Sequence, residues 1–335
     1  MTGTRGDISL FGTCPPSVQQ HGPDYLRRVR EVAGWSDRAG YEGVLVYTDN
    51  RSVDPWLLAQ TIIQATTRLA PLVAVQPAYM HPFTAAKLVA GLAYLHQRRV
   101  HLNMVAGGFT GDLQSLGEHL AHDDRYDRAV EYALIVRQLL TSEEPVSFAG
   151  AYYSVTGLRL ETALPAELVP RVLFSGSSAA GMAAARAASA TAVAYPQEPG
   201  KQAPADPSVT QGLRIGIITR PTSAEAWEVA LTRFPEDRAG QISHRLATSR
   251  SDSQWHRQLA AAVDRQDTYW MRPFKNYRTF CPYLVGDYVT VGREVGRYLD
   301  LGYTTLILDT PEKEQDLEHI AVALDIARTR AEEHV

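Results

Sequence analysis

Short apolar runs alternate with longer amphipathic stretches along most of the chain. Runs such as "YEGVLVY" (41–47), "PLVAVQ" (71–76) and "YTTLILD" (303–309) are apolar on both faces, which is typical of buried parallel strands. The stretch "PDYLRRVREVAGWSDRAG" (23–40) has a helical period, and Gly40 is predicted to be the left-handed residue just past the helix. The pattern therefore predicts repeated strand–helix units.

Eight such runs predict strands. Their approximate first residues are Asp7, Tyr41, Pro71, Val100, Arg171, Ala190, Leu213 and Tyr303. Eight strand–helix units in 335 residues predict an α/β protein, a (β/α)8 TIM barrel that forms a single domain over residues 1–335. An open, doubly wound parallel sheet is the alternative that the same alternation allows.

Two segments interrupt the alternation. Residues 142–157 alternate apolar and polar positions around Ala149 and Gly150, which predicts a small hairpin. Residues 238–283 form a long insertion before the last strand–helix unit. In a barrel such an insertion lies over the C-terminal face, where active sites lie, so residues 238–283 are a candidate lid.

Composition narrows the classes of function. Lys and Arg number 33 and Asp and Glu 37, a net charge of 33 − 37 = −4, which argues against a nucleic-acid-binding protein. Cys14 and Cys281 are the only cysteines and no C-x-x-C occurs, so we expect no metal site and a reducing, cytoplasmic location. No apolar run is long enough for a signal peptide or a membrane span, so no membrane partner is expected.

A Ser/Gly-rich turn is the first candidate site. "FSGSS" (174–178) ends an apolar strand and precedes an Ala-rich helix, so Gly176, Ser177 and Ser178 either hold a phosphate or simply cap the helix. The P-loop spacing is present without its lysine. "GSSAA" also resembles the nucleophile elbow of a serine hydrolase, for which Asp309 and His319 are the available partners.

Polar residues on other predicted elements are further candidates. His122 and Tyr126 are one helical turn apart, so they either face one ligand or pack as ordinary helix residues. Asn103 lies within an apolar strand and Gln76 ends another, where buried amides need partners. Arg214, within "LRIGIITR", requires a counter-ion or a bound anion unless it reaches the surface at the strand end.

The order of several motifs carries a family resemblance. "NMVAGG", "HDDRYDRAVEY", "FSGSS", "RPTSAEAW" and "YLVGDYVTV" together resemble the bacterial luciferase-like flavin monooxygenases, and most of all their alkanesulfonate monooxygenase branch. This resemblance implies a barrel that binds reduced FMN (FMNH₂) delivered by a separate NAD(P)H:flavin reductase. It implies that O₂ forms a peroxyflavin that oxidises a small organic substrate. It also implies a homo-oligomer, a dimer or a tetramer.

The resemblance assigns roles to the candidate residues. It implies that the FMN phosphate is bound by Gly176, Ser177 and Ser178, and that His122 and Tyr126 lie near the phosphate and the ribityl chain. It implies that Gln76 and Asn103 lie on strands beneath the isoalloxazine ring. We expect these seven residues to form the cofactor-binding site.

The substrate end departs from the sulfonate branch. Arg214 matches an arginine of that branch, and we expect it to stabilise an anionic group. Gly216 stands where the branch has a histidine, Ser52 where it has an active-site cysteine, and Thr310 near its tyrosine. Arg214 and Ser52 are therefore the expected catalytic residues, and the substrate is either alkanesulfonate-like or a specialised metabolite.

Two further alternatives stay open, the first of them within the same superfamily. A deazaflavin-dependent oxidoreductase would transfer hydride without oxygen. A non-catalytic flavin-binding barrel would bind the cofactor without oxygen chemistry, an option that the lost histidine and tyrosine favour.

Overall fold

A computed structural model describes residues 8–18, 20–107, 110–161, 163–249 and 265–329. Its contacts divide the chain into two compact units, one of residues 1–13 and 193–335 and the other of residues 14–192. Each unit is described below by itself. The prediction of a single domain over residues 1–335 stays a prediction.

The described strands are β1 (Ser9–Thr13), β2 (Gly43–Val46), β3 (Ala70–Val75), β4 (His101–Val105), β5 (Val146–Ala149), β6 (Ser154–Leu158), β7 (Val172–Ser175), β8 (Thr191–Ala194), β9 (Gln211–Arg220), β10 (Arg265–Gln266), β11 (Tyr269–Trp270), β12 (Tyr283–Asp287) and β13 (Thr305–Leu308). The described helices are α1 (Gly22–Arg38), α2 (Pro55–Ala65), α3 (Pro82–His96), α4 (Thr110–Ser115), α5 (His122–Thr141), α6 (Ala179–Ala187), α7 (Ser223–Arg233), α8 (Arg238–Ser249), α9 (Arg272–Lys275), α10 (Tyr288–Asp300) and α11 (Glu314–Arg328).

The unit of residues 14–192 is built on four adjacent parallel strands in the order β2, β3, β4, β7. Every residue of β2 and β3 is buried, as expected for strands that helices cover on one face and core side chains cover on the other. All four strands run the same way, so their C-terminal ends meet at one edge. Asn103 and Gln76 stand near that edge, on β4 and directly after β3.

Local sequence signals set the helix ends in this unit. Asp54 caps α2 by accepting a hydrogen bond from the Trp56 amide at 2.9 Å, and Pro55 occupies the first helical position. Gly40 follows α1 with φ = +76°, which confirms the predicted left-handed residue. The hairpin predicted in residues 142–157 is also present, as antiparallel β5 and β6.

In the other unit, six of the described strands follow the order β10, β11, β12, β9, β13, β1. Within this unit, the ten-residue strand β9 pairs in parallel with two strands, each along a different part of its length. Residues 212–215 pair with β13, whereas residues 216–220 pair with β12. The change of partner falls between Ile215 and Gly216, so β9 is the point where this sheet forks.

The predicted fold class is confirmed. Parallel strands alternate with helices, and β1–β4, β7–β9 and β13 begin within about two residues of the eight predicted starts, the pattern of a (β/α)8 barrel. The prediction missed β12 and α10, which form an additional strand–helix unit before β13. The described parts of the 238–283 insertion are α8, β10, β11 and α9, while residues 250–264 lie outside the described residues.

Candidate functional site

The turn between β7 and α6 is shaped by one glycine and one serine. Gly176 has φ = +148°, and a Cβ at this position would clash with the Tyr126 hydroxyl, so only glycine fits. Ser178 is the N-cap of α6, and its Oγ accepts the Gly181 amide at 3.1 Å. The amides of residues 177–180 have no acceptor among the described residues. The exposed Ser177 and these amides therefore present donors at a helix N-terminus, where an anion is stabilised.

Helix α5 brings His122 and Tyr126 to this turn. The Tyr126 hydroxyl donates to the Ser175 carbonyl at 3.2 Å, one residue before Gly176. The rings of His122 and Tyr126 meet edge to face with centroids 5.2 Å apart. His122 is partly exposed, and its Nδ1 lies 2.6 Å from Asp123 Oδ1. The predicted spacing of one helical turn thus places both side chains on the face of α5 that meets the β7 end.

Asn103 joins the same cluster through β7. The buried Asn103 accepts a hydrogen bond from Ser175 Oγ at 2.9 Å through its Oδ1, which satisfies an amide inside an apolar strand. Gln76 is also buried at the end of β3, and its backbone carbonyl accepts the Tyr79 amide at 3.0 Å. No hydrogen bond between Gln76 and the other candidates is present among the described residues.

Arg125 is a residue that sequence reasoning did not select. It is buried on α5, and its guanidinium donates to three carbonyls, those of Ala106 (3.1 Å), Gly107 (3.2 Å) and Leu120 (2.9 Å). These bonds hold the loop after β4 against α5, next to Tyr126. An arginine beside a helix start gave no signal of this role, because its partners are backbone carbonyls of a distant loop.

Ser52 lies apart from these residues, on a small cavity of about 10 Å³, room for about one water molecule. Its Oγ is buried and has no hydrogen-bond partner among the described residues. Its backbone amide donates to Asp49 Oδ1 at 2.7 Å. Cys14 lines the same cavity, and burial raises the pKa of its thiol to about 12, so at neutral pH the thiol is protonated and poorly nucleophilic.

In the other unit, Arg214 is a buried cation on β9. Its Nη1 donates to the Tyr195 hydroxyl at 3.5 Å, and its guanidinium carbon lies 5.7 Å from the centre of the Phe280 ring. Burial raises the pKa of Tyr195, although Arg214 opposes that shift. The alternative of a surface arginine at a strand end is therefore wrong for Arg214.

Asp309 is fixed beside this strand by two hydroxyls. The Tyr283 hydroxyl donates to Asp309 Oδ2 at 2.7 Å, and Thr279 Oγ1 donates to the same oxygen at 2.5 Å. Burial, followed by the charge of Asp309, raises the pKa of Tyr283, so its phenol stays a donor. Asp309 is partly exposed. We call Arg214, Tyr195, Thr279, Tyr283 and Asp309 the Arg214 cluster.

The packing of this cluster explains why residue 216 is a glycine. A Cβ at Gly216 would clash with the ring of Tyr283, its register partner on β12. The ring therefore fills the space that a side chain at residue 216 would need. Thr310, another position that departs from the sulfonate branch, donates its hydroxyl to the Thr13 carbonyl at 3.1 Å.

The structure thus brings Gly176, Ser178, Tyr126, His122 and Asn103 together within one unit. The sequence analysis selected Arg214 and named Asp309 only as a possible partner of a serine nucleophile, and it missed Tyr195, Thr279 and Tyr283. An acidic residue directly after the apolar run "TLIL" was the signal that could have placed Asp309 at the end of a barrel strand, beside Arg214.

The serine-hydrolase alternative loses its support. Ser178 Oγ caps α6, the hydroxyls of Tyr283 and Thr279 occupy Asp309 Oδ2, and His319 Nδ1 lies 2.6 Å from the Tyr288 hydroxyl. In the part of the chain that the structure describes, no three His, Cys, Asp or Glu side chains converge as metal ligands. Within the same part, every helix is too short or too polar to span a bilayer.

A strand–helix barrel with free amide donors at a helix N-terminus after β7 has the architecture of the TIM-barrel enzymes, many of which carry a phosphate site at the C-terminal ends of their strands. Residues 8–305 match the family model of luciferase-like monooxygenases, and the chain belongs to this family. It is 34% identical over 326 residues to the 4-(gamma-L-glutamylamino)butanoyl-[BtrI acyl-carrier protein] monooxygenase BtrO of Niallia circulans. That match covers 94% of this chain and 95% of the relative.

Solved structures show the same fold. The long-chain alkane monooxygenase LadA superposes with a TM-score of 0.72 at 16% identity, over 96% of this chain and 91% of LadA. An F420-dependent secondary alcohol dehydrogenase superposes with a TM-score of 0.64 at 19% identity, over 96% of this chain and all (100%) of that one. The chain is therefore a flavin-dependent monooxygenase by family, while the alkanesulfonate branch is not confirmed.

Proposed function

We propose that this protein is an FMNH₂-dependent, two-component monooxygenase that uses O₂ to oxidise an acyl group carried by an acyl-carrier protein. A separate NAD(P)H:flavin reductase supplies the reduced cofactor. The observation that carries the proposal is the turn at Gly176, where Ser177 and amides that have no acceptor among the described residues meet the N-terminus of α6.

The residues of this turn fit a phosphate group. A side chain at Gly176 would close the turn against Tyr126, and the glycine keeps the backbone accessible for a close approach. The amides of residues 177–180 and Ser177 Oγ supply donors, and the dipole of α6 favours the negative charge. Ser178 shapes the helix start as its cap, and its amide is among those donors. His122 and Tyr126 form one side of the site.

The ring of the cofactor supplies the oxygen chemistry, and the protein supplies orientation and charge. We assign contact with that ring to Gln76 and Asn103, the buried amides at the strand ends of the same unit. Ser52 offers a buried hydroxyl without a partner among the described residues, suited to a hydrogen bond with substrate or water. Arg214 supplies a positive charge to an anionic group during turnover.

The substrate class rests on the BtrO relative, whose name specifies an acyl group on a carrier protein. Its 34% identity extends over 94% of this chain, well above the 16% shared with LadA. Gly216 and Ser52, which stand where the sulfonate branch has a histidine and a cysteine, also argue against sulfonate cleavage.

The test is reconstitution. The purified chain is combined with a flavin reductase, NADH, FMN and a carrier protein loaded with 4-(γ-L-glutamylamino)butanoate. We expect the loaded carrier to gain the mass of one oxygen atom, and isotopically labelled O₂ to provide it. When the reductase is omitted and only oxidised FMN is supplied, the carrier should gain no oxygen. A chain that binds no FMN in either redox state contradicts the proposal.

A deazaflavin-dependent oxidoreductase is the second candidate, favoured by the likeness to the F420-dependent alcohol dehydrogenase. Parallel titration with FMNH₂ and reduced F420 separates the two. Preferential binding of F420, with hydride transfer and no oxygen incorporation, would replace the first proposal by the second. Flavin binding without oxygen incorporation or hydride transfer would support the third alternative, a non-catalytic flavin-binding barrel.

A further inference from the structure

The Arg214 cluster contains a fixed cation and a fixed anion on one face of one sheet. Arg214 pairs in register with Ile307 on β13, and Asp309 follows Ile307 by two residues. Residues two apart on a strand project to the same side, so Arg214 and Asp309 are diagonal neighbours on that side. Both charges act on the pKa of Cys281, which burial and Asp309 raise and Arg214 lowers.

The two oxygens of Asp309 have different surroundings. Oδ2 accepts the hydroxyls of Tyr283 and Thr279, at 2.7 and 2.5 Å. Apart from the Cys281 thiol, a weak donor that also interacts with this carboxylate, no described residue donates a hydrogen bond to Oδ1. Asp309 is also partly exposed, so Oδ1 is a carboxylate oxygen with a fixed direction and access to a ligand. A charge that is oriented before binding loses little entropy when a ligand pairs with it.

We propose that Arg214 and Asp309 together recognise a zwitterionic α-amino-acid group on the substrate. The Arg214 guanidinium binds the α-carboxylate, and Asp309 Oδ1 accepts hydrogen bonds from the α-ammonium group. This inference rests on the proposed function, because it names the part of the substrate that the enzyme recognises.

The matching of charges gives the reason for this class of ligand. A purely anionic ligand would meet the repulsion of Asp309, and a purely cationic one that of Arg214. A ligand with adjacent charges of both signs satisfies each in turn, and planar guanidinium geometry suits a carboxylate. Tyr283 and Thr279 are positioning residues, since they act on the ligand only through Asp309.

The test uses binding rather than turnover. The probes are γ-L-glutamyl ethylamide, its N-acetyl derivative, which lacks the ammonium charge, and its α-methyl ester, which lacks the carboxylate charge. Affinities are measured by calorimetry on the full chain, with and without FMN. We expect the zwitterion to bind about tenfold or more tighter than either derivative, the change expected for loss of one charge-assisted hydrogen bond.

Two variants assign the two charges. Asp309→Asn should remove the preference over the N-acetyl probe and keep the preference over the ester. Arg214→Gln should do the reverse. Asp325→Asn, an exposed residue paired only with Arg328 and Thr329 among the described residues, is the matched control and should change neither preference. If Asp309→Asn fails to fold, Thr279→Val takes its place. It retains both charges and should partially weaken the preference over the N-acetyl probe.

Equal affinities for all three probes would overturn the inference, as would an Asp309→Asn variant that lowers all three affinities alike. Failure of the proposed function is separate, since it appears as loss of FMN binding or of oxygen incorporation while the probe preferences persist.

Discussion

At the scale of the residue, Gly176 decides whether the turn after β7 can hold an anion. Its backbone has φ = +148°, and the Tyr126 hydroxyl occupies the space of a side chain. Gly176→Ala should therefore move Tyr126 and distort the amides of the turn. We expect the Kd for FMN to rise about tenfold or more, measured by quenching of flavin fluorescence.

Gly91→Ala is the matched control, because nothing lies within 4 Å of a Cβ at that position in the same unit. It should leave the Kd for FMN unchanged. Unchanged FMN binding in a folded Gly176→Ala protein would remove this turn from the cofactor site.

Gly216 and Tyr283 form a second pair whose sizes are linked. Gly216→Ala forces the buried Tyr283 ring to move, and over-packing of this kind costs about 1–3 kcal/mol. The free energy of unfolding, measured by chemical denaturation, should fall by that amount. In a Tyr283→Ala background the same substitution should cost much less, and Gly200→Ala, where the space is open, should cost little in either.

Equal costs of Gly216→Ala in both backgrounds would show that the ring does not oppose a side chain there. The structural reason for Gly216 would then be wrong.

At the scale of the element, one carboxylate fixes the hairpin of β5 and β6. Glu131 on α5 accepts the amides of Ala151 (2.7 Å), Tyr152 (2.9 Å) and Tyr153 (3.0 Å), and a Cβ at Gly150 would clash with that carboxylate. Glu131→Ala should destabilise the protein by about 2 kcal/mol, because it leaves three donors without their acceptor.

Hydrogen exchange measures the same change locally. In Glu131→Ala the amides of residues 151–153 should lose protection, while exposed Glu143→Ala should leave their exchange unchanged. Retained protection at residues 151–153 would mean that the hairpin is held by other contacts.

Elements with a strong local signal were predictable from the sequence. The eight barrel strands were recognisable as apolar runs, and the capping box of Thr222 and Glu225, a motif visible in the sequence, starts α7. Strand β12 was missed because "YLVGD" follows an insertion that offers no helical unit before it. Its place in the sheet depends on pairing with distant β9, which local pattern cannot give.

The candidate site residues likewise divide into those with a local sequence signal and those without one. The turn at Gly176 and the spacing of His122 and Tyr126 were visible as short-range motifs. Asp309, Tyr283 and Thr279 come from segments up to 30 positions apart, and hydrogen bonds alone join them. Such a cluster has no sequence spacing of its own, so the sequence analysis selected the charge of Arg214 and gave Asp309 a different role, as a partner of Ser178.

At the scale of the whole molecule, a buried neutral histidine contributes to the response to acid. His101 is fully buried, and burial, followed by the nearby Arg171 and Arg99, lowers its pKa from 6.5 to about 3. Between pH 6.5 and about 3, His101 therefore binds a proton in the unfolded chain but not in the folded one. This contribution to stability is complete above pH 6.5 and decreases progressively as the pH falls toward about 3.

His101→Gln should flatten the dependence of unfolding free energy on pH within that window, measured by denaturation at a series of pH values. His21→Gln changes an exposed histidine and should leave the dependence as it is. A wild-type slope that His101→Gln does not alter would assign the acid response to other groups, such as the carboxylate of Asp37, whose pKa is lowered because four hydrogen bonds outweigh its burial.

The fork of β9 also has an evolutionary consequence. Gly216 and Tyr283 face each other where the strand changes partners, and the volume between them accommodates one large side chain. A large side chain can therefore occur at position 216 or at position 283, but not at both. Aligned relatives should therefore covary at these two positions, a bulky residue at 216 accompanying a small one at 283, and sequence data alone can check this rule.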